Sequence, residues 1–427
     1  MAVMTNKNQL SEFLKQVAIA LDIPEKMREE VEREYQQLCE FLEEQDADAN
    51  RRDPNIFPQG SFRLGLATRP ITDKDEYDID LVYERDLQKS STSRKQLKAE
   101  AGAHLAAYVR YLKETGQEVP KLEQGDRCWT LEHEGQFHMD ILPAIPDQDV
   151  RNSYGGHTET AIAITDKSSE RWETSNPIGF CEWFKEQMRE QFTARRKAMA
   201  RTELTKSAAP MSLNESQIKA AAEDIPEYKV KTTLQRSIQI LKRHRDFYFQ
   251  DDKDNRPASI VITTLAARAY GSEDNLVDAL LTIVRGMEDH IEPRLEGGKL
   301  VSWVENPTNK LENFADRWQD EKHPNREQSF RDWLKKVEKD FAQALLGGGI
   351  HKIVELLGMS LGRDTVSKAA TSMGDNFRQS SQSNSLGIKQ GIGTLVTSSE
   401  GESPSLPNTT PVRRHTFYGD VEQNKKT

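Results

Sequence analysis

Three aspartates and one Gly-Ser pair carry the chemistry that this chain's residue types allow. Asp78 and Asp80 lie two residues apart in Glu76-Tyr77-Asp78-Ile79-Asp80-Leu81-Val82-Tyr83, where polar and apolar residues alternate with period two, as in a half-buried strand. On such a strand both side chains leave the same face, so their carboxylates lie side by side and repel unless a cation stands between them. A bare Asp-x-Asp is ordinarily a solvated strand face. Here Asp140, flanked by Met139 and Ile141 on a second predicted strand, brings a third carboxylate within reach. Three convergent carboxylates suit two Mg²⁺ ions, which take octahedral oxygen sites at about 2.0 to 2.1 Å and stand about 3.5 to 4 Å apart in phosphoryl-transfer enzymes. Metal held in this way needs phosphate oxygens to complete its shell. Gly60-Ser61, upstream of the Asp pair, supplies the other half. Glycine lets backbone approach a triphosphate closely, and a helix starting there offers free N–H groups and a serine hydroxyl.

The elements that must position these residues show as periodicities. Apolar residues at Leu10, Phe13, Leu14, Val17 and Leu21, then at Met27, Val31, Tyr35, Leu38 and Leu42, predict two amphipathic helices. Leu97, Ala101, Leu105, Tyr108 and Leu112 share one face of a helix after the Asp78 strand. Arg127 to His133 and Phe137 to Ile145 read as two strands joined around Glu134-Gly135-Gln136. The intervening helix allows the Asp80 and Asp140 strands to become neighbours in one sheet. After Asn176-Pro177, an N-cap with proline at the first helical position, helical patterns dominate to about Leu361. Between Thr371 and Thr410, Ser, Thr, Gly and Pro make up 21 of 40 residues, a composition that buries too little apolar surface to offset ordering entropy. The expectation is an α+β fold in three parts: residues 1–175 with the N-terminal helices and the site, an all-helical lobe at 176–366, and a flexible tail at 367–427.

Composition narrows the function. No apolar run reaches the roughly 18 residues of a membrane span, and Met1 to Leu10 lacks a signal-peptide core, so a soluble cytoplasmic protein with no membrane partner is expected. Cys39, Cys128 and Cys181 lie too far apart for a Cys-x-x-Cys zinc site. With 59 Lys and Arg against 69 Asp and Glu, the net charge of −10 argues against binding long nucleic acid. Arg195-Arg196-Lys197 and Lys242-Arg243-His244-Arg245 remain local candidates for phosphate contacts. Gly358-Met359-Ser360-Leu361-Gly362 has the spacing of a nucleophile elbow, but the residues before it read as helix rather than strand. Gly60 to Gly65 has the first spacing of a P-loop, yet Leu66 stands where the lysine belongs. Gly347-Gly348-Gly349 marks a break after a helix.

The order Gly-Ser, Asp-x-Asp, later Asp resembles the nucleotidyltransferases of the polymerase β type. More closely, the chain resembles bacterial cyclic oligonucleotide synthases related to cyclic GMP-AMP synthase and oligoadenylate synthase. The residues carrying this are Phe57-Pro58-Gln59-Gly60-Ser61-Phe62-Arg63, Tyr77-Asp78-Ile79-Asp80-Leu81, His138-Met139-Asp140-Ile141-Leu142-Pro143, Ser175-Asn176-Pro177 before Trp183-Phe184, and Leu234-Gln235-Arg236 through Leu241-Lys242-Arg243-His244-Arg245-Asp246.

The resemblance implies a polymerase β-like mixed sheet with N-terminal helices and a helical lobe. It implies that Asp78, Asp80 and Asp140 hold two Mg²⁺, with Mn²⁺ as the alternative, and that Asp140 accepts the proton of an attacking ribose hydroxyl. Gln59, Gly60, Ser61, Arg63 and Lys242 would bind the nucleotide. The competing reading of Lys242 is a surface lysine on a helix with one solvated side, and that of Arg63 is a salt bridge to a local acid. The activity implied is the joining of ribonucleoside triphosphates, ATP first, with GTP or a pyrimidine triphosphate beside it, into a cyclic di- or trinucleotide second messenger for antiphage defence. The alternatives are transfer of AMP to a protein, RNA or small molecule, and a degenerate nucleotide-binding scaffold. An accessory regulatory protein is a further expected partner, although a simple packed or disordered end is the preferred reading of the basic and aromatic segment Pro411 to Gly419.

Overall fold

Apolar stripes become helices where the spacing predicts them, in α1 (Ala2–Ala20) and α2 (Glu25–Gln45). The chain continues through β1 (Asn55–Pro58), α3 (Gly60–Arg63), β2 (Tyr77–Glu84), α4 (Arg94–Glu114), β3 (Lys121–Gln124), β4 (Trp129–His133), β5 (Phe137–Pro146), α5 (Gln148–Arg151), β6 (Ile162–Ile164) and β7 (Glu173–Ser175). Then follow α6 (Pro177–Glu186), α7 (Arg189–Ser207), α8 (Glu215–Asp224), α9 (Thr233–Tyr248), α10 (Ser259–Ala269) and α11 (Leu276–Gly286). Short strands β8 (Glu292–Glu296), β9 (Lys299–Trp303), β10 (Glu305–Asn306) and β11 (Asn309–Asn313) precede α12 (Arg326–Leu346), α13 (Ile350–Leu361) and α14 (Arg363–Gln382). Strands β12 (Leu386–Lys389), β13 (Thr394–Thr397) and β14 (Thr409–Pro411) come last. The structure, a computed structural model, describes residues 2–45, 55–72, 76–151, 158–166, 171–207, 215–382, 386–389, 394–397 and 409–411.

Two compact units divide the chain, cutting across the boundaries expected at 175/176 and 366/367. One contains Leu21–Phe192 and Lys231–Lys339. Its sheet runs in the order β1-β2-β5-β4-β3, with β6 joined to β5 and β7 to β6. Only β2 and β5 pair in parallel; every other pair in this sheet is antiparallel. The parallel pair follows from the crossover through α4, since two parallel strands cannot be joined by a tight turn. Alternation then assigns the two faces. Ile79, Leu81, Leu131, Met139 and Ile141 bury against Val31, Leu38 and Phe41 of α2 and Ala101, Leu105 and Tyr108 of α4. Each such aliphatic or aromatic side chain removed from water contributes on the order of 1.5 to 3 kcal/mol. On the opposite face Asp78, Asp80, His138 and Asp140 occupy the first half of the pair, and Val82 and Ala144 further along bury against Phe57, Ile162 and Ile164.

The second half of the chain is not all-helical. Leu295 faces Leu300 and Glu296 faces Lys299 in an antiparallel hairpin closed by Gly297 and Gly298. Both glycines have positive φ, +55° and +81°, as a two-residue hairpin turn of this hand requires. The Gly-Gly pair was the sequence signal for this hairpin.

The other unit contains Met1–Ala20, Thr193–Val230 and Asp340–Thr427. Leu10, Phe13, Leu14 and Val17 of α1, Ile353, Leu357 and Leu361 of α13, and Val366 and Ala369 of α14 are all buried, and the three helices pack on one another. The expected tail therefore begins too early: α14 is ordered helix to Gln382, because Val366 and Ala369 supply a buried stripe that a Ser/Thr count overlooks. Beyond it, β12 pairs antiparallel with β13 and β14. The expected docking segment after Pro411 lies outside the described residues. Gly358 and Ser360 sit within α13, so the elbow-like motif is a helix end.

Candidate active site

Parallel register brings the predicted aspartates together. Asp80 pairs with Asp140 and Asp78 with His138 across β2 and β5. Residues in register on adjacent strands point to the same face, so all four side chains share the face opposite the apolar core. Asp78, His138 and Asp140 each place a ligand atom within 4.8 Å of the others, a donor set that could hold a metal ion. Asp80 stands beside them with its carboxylate turned toward Gly60.

The Gly-Ser turn is built against that carboxylate. Gln59 N–H donates to Asp80 O at 2.8 Å, tying the end of β1 to β2. Gly60 has φ +59°, and a Cβ on it would stand 2.1 Å from Asp80 Oδ2. No side chain fits there, so the glycine permits both the turn and its approach to the site. Gly60, Ser61, Phe62 and Arg63 form the single helical turn α3. Arg63 Nη1 donates to Pro58 O at 3.1 Å, and its guanidinium lies 5.7 Å from the Phe57 ring centroid. The expected alternative of a salt bridge to a local acid is not what holds it.

Charge crowding shows in the protonation of these groups. Burial, then the neighbouring Asp78 and Asp140, push the Asp80 carboxyl up to about 7. His138 is raised to about 9, chiefly by its contact with Asp78 at 3.4 Å, with Asp140 and Glu76 adding to it. Its other ring nitrogen lies 3.4 Å from Glu76, whose Oε1 accepts from Gly135 N–H at the β4–β5 turn. Thr130 Oγ1 donates to Asp140 Oδ1 at 2.5 Å from β4. A metal ion among these carboxylates would replace the imidazolium as the counter-charge.

Lys242 is 7% exposed, which overturns the surface reading. Buried residues run all round α9, from Thr233 to Arg245, so this helix has no solvated side over that span. Two of its cations reach carbonyls: Lys242 Nζ donates to Leu66 O at 3.1 Å, and Arg243 donates to Arg69 O and Pro70 O, while Arg245 pairs with Asp246. Burial, with Arg245 next, lowers Lys242 to about 8, although Asp78 and Asp80 pull the other way. The cluster Lys242-Arg243-His244-Arg245 is therefore buried rather than an exposed surface patch.

His138, Glu76 and Thr130 were not singled out from the sequence. The signal for His138 was available: it precedes Asp140 by two residues on one strand and so shares its face. The same spacing relates Glu76 to Asp78, whereas Thr130 reaches the site through the pairing of β4 with β5 that only the assembled sheet sets.

Residues 4–187 match the family described as the Second Messenger Oligonucleotide or Dinucleotide Synthetase domain. The chain is 28% identical over 414 residues to c-di-GMP synthase of Roseivirga ehrenbergii, covering 97% of this chain and 98% of that one. It is 23% identical over 312 residues to the cyclic dinucleotide synthase CdnG of Bradyrhizobium diazoefficiens, covering 72% and 70%. The solved structure of that CdnG in complex with GTP aligns with a TM-score of 0.62 at 20% identity, over 86% of this chain and 99% of that one. The Escherichia coli MS115-1 CdnC:HORMA-deltaN complex aligns with a TM-score of 0.54 at 13% identity, over 82% and 96%. These structural likenesses establish the fold, a polymerase β-like mixed sheet with N-terminal helices and a C-terminal helical region.

Proposed function

We propose that the chain is a bacterial cyclic oligonucleotide synthase of the cyclic GMP-AMP synthase and oligoadenylate synthase type, a reading supported by the matched domain and the similar synthases. The enzyme is a nucleotidyltransferase that builds a cyclic oligonucleotide from nucleoside triphosphates. In our reading the reacting centre is Asp78, Asp80 and Asp140, and the single observation that supports it most is the placement of Asp80 opposite Asp140 with Asp78 on the same face.

The family uses divalent cations, and the donors here fit one: hard carboxylate oxygens converge, with an imidazole beside them. We assign Asp78, Asp80 and Asp140 as the residues that hold two Mg²⁺, with Mn²⁺ as the alternative. Bound there, divalent metal lowers the pKa of a ribose hydroxyl and neutralises the pyrophosphate that leaves. Asp140, held at Oδ1 by Thr130, accepts the hydroxyl proton at its carboxylate. The backbone of Gly60 and Ser61, the Ser61 hydroxyl and the Gln59 side chain orient the triphosphate, with Arg63 and Lys242 supplying positive charge. Each turnover forms one phosphodiester bond at an α-phosphate and releases one pyrophosphate; an intramolecular repeat closes the ring.

GTP is our first substrate, ahead of ATP or a pyrimidine triphosphate, because the full-length relative is named a c-di-GMP synthase and CdnG is solved with GTP. Among the described residues no helix is long and apolar enough to cross a membrane. We place the enzyme in the bacterial cytoplasm, acting in antiphage defence with an accessory regulatory protein. The test is an omission series: the four triphosphates with Mg²⁺, each left out in turn. Loss of product only without GTP supports a GTP-built ring; product without GTP overturns that choice. Label transferred to protein or RNA would instead identify an AMP-transfer enzyme.

A further inference from the structure

The segment after the Gly-Ser turn is bonded on two sides. On one side its N–H groups reach back to the turn: Leu64 N–H donates to Gly60 O at 3.2 Å, Gly65 N–H to Phe62 O at 3.2 Å, and Leu66 N–H to Ser61 O at 2.8 Å. On the other side the carbonyls of the same three residues accept from side chains at α9. Gln235 Nε2 donates to Leu64 O at 2.9 Å, Lys231 Nζ to Gly65 O at 2.6 Å, and Lys242 Nζ to Leu66 O at 3.1 Å. Gln239 Nε2 extends the row to Ala67 O at 3.3 Å. Leu64, Gly65 and Leu66 are buried, so a carbonyl that loses its donor there has no water to replace it.

We infer that Gln235 and Lys231 are positioning residues for nucleotide binding, acting through peptide groups 64–66 to fix the Gly60–Phe62 turn in the orientation that receives the triphosphate. The physical reason is directional. A donor on each carbonyl polarises its peptide group and strengthens the bond made by the N–H of the next residue: Gln235 on Leu64 O acts on Gly65 N–H to Phe62 O, and Lys231 on Gly65 O acts on Leu66 N–H to Ser61 O. The carbonyls of Ser61 and Phe62 are thereby drawn toward the segment. The opposite pole of that turn, its N–H groups, is left for an anion. No charge of Gln235 or Lys231 needs to touch the nucleotide. This inference rests on the proposed triphosphate site.

Gln235 offers a clean separation, because its two side-chain atoms do different things. Oε1 accepts from Thr232 N–H at 2.9 Å in a capping box that starts α9, while Nε2 alone serves Leu64. Gln235→Glu keeps the cap, since glutamate serves equally at that position. It removes the donor to Leu64 and sets an acceptor oxygen against that carbonyl, so its effect is at least that of the lost bond. Lys231→Met keeps the alkyl stem and removes the donor to Gly65.

The experiment measures the affinity of a non-hydrolysable GTP analogue with Mg²⁺ by calorimetry, steady-state kcat and KM for GTP, and melting temperature, for the full chain and both variants. The expected result is an affinity about tenfold weaker and a KM about tenfold higher in each variant, the scale one such hydrogen bond sets, with kcat within about twofold and each variant still folded at the assay temperature. If Gln235→Glu itself melts lower, Lys231→Met decides. Parent-level affinity in both variants overturns the inference, as does a loss of affinity confined to protein unfolded at the assay temperature, or a fall in kcat at unchanged affinity. A parent protein that binds no analogue at all overturns the site reading itself, and the inference with it.

Discussion

Asp80 on β2 stands directly opposite Asp140 on β5, in a parallel pair whose register sets the two side chains on one face. Asp78 follows on the same face. Removal of one ligand should disable the shared metal site while leaving the apolar face of the sheet untouched. Asp78→Ala and Asp80→Ala are expected to cut pyrophosphate release to background with the circular dichroism spectrum of the parent. Folded variants that release pyrophosphate at the parent rate would remove these residues from the mechanism.

Without metal, the same arrangement costs stability. Asp80 has a folded pKa of about 7, above the ordinary carboxylate value, because of burial and then Asp78 and Asp140. A raised carboxylate pKa means that the ionised form is disfavoured in the fold. The penalty grows as pH rises from about 4 toward 7 and is fully present above it. In excess chelator at pH 8, Asp80→Asn is therefore expected to melt a few degrees higher than the parent, while losing activity. Titration calorimetry or thermal melts with EDTA measure this, and a variant that melts lower would contradict it.

Gly60 is predicted to be irreplaceable for a reason separable from its backbone angle. Gly116 also has positive φ, +70°, but no atom lies within 4 Å of a Cβ placed there, whereas at Gly60 the Asp80 carboxylate lies 2.1 Å away. Gly116→Ala should cost only the backbone term, on the order of 1 to 2 kcal/mol, and keep activity. Gly60→Ala should cost more and abolish turnover, because Asp80 must move. Denaturant melts and a pyrophosphate assay compare the two; equal behaviour would mean that the contact with Asp80 is unimportant.

Lys231 gives a pH dependence of opposite origin. Burial lowers it to about 8, although Asp22 favours its charge. A lysine whose folded pKa lies below its unfolded value of about 10.4 makes the fold pay for carrying the proton. That penalty is fully present below about pH 8 and fades as pH rises from 8 to 10.4, so this residue's contribution to stability improves over that window. Lys231→Met should remove this part of the pH dependence; parallel stability curves for parent and variant between pH 7.5 and 10 would refute the assignment.

The site was more readable from the sequence than the scaffold around it. Period-two alternation placed Asp78 and Asp80 on one face, and the length of the α4 segment allowed the Asp140 strand to lie beside them. Hydropathy could not show that Lys242 and Arg243 are interior, because a cation is buried there by backbone carbonyls from a segment about 175 residues away in sequence, at Leu66, Arg69 and Pro70. The division into two units was equally hidden. Helix α1 finds its partners in α13 and α14, more than 300 residues later, and no local pattern encodes such a pairing. In α14 the Ser and Thr residues occupy the outer positions of a helix whose Val366 and Ala369 are buried.

The central claim is that this site makes a ring from nucleoside triphosphates. It is tested by incubating the full chain with α-³²P-labelled triphosphates and Mg²⁺, treating with phosphatase, and determining product masses, with Asp80→Ala in parallel. The account predicts a phosphatase-resistant species with the mass of a cyclic di- or trinucleotide containing guanosine, absent from the variant. A product that phosphatase digests completely, or the same cyclic species from Asp80→Ala, would contradict it.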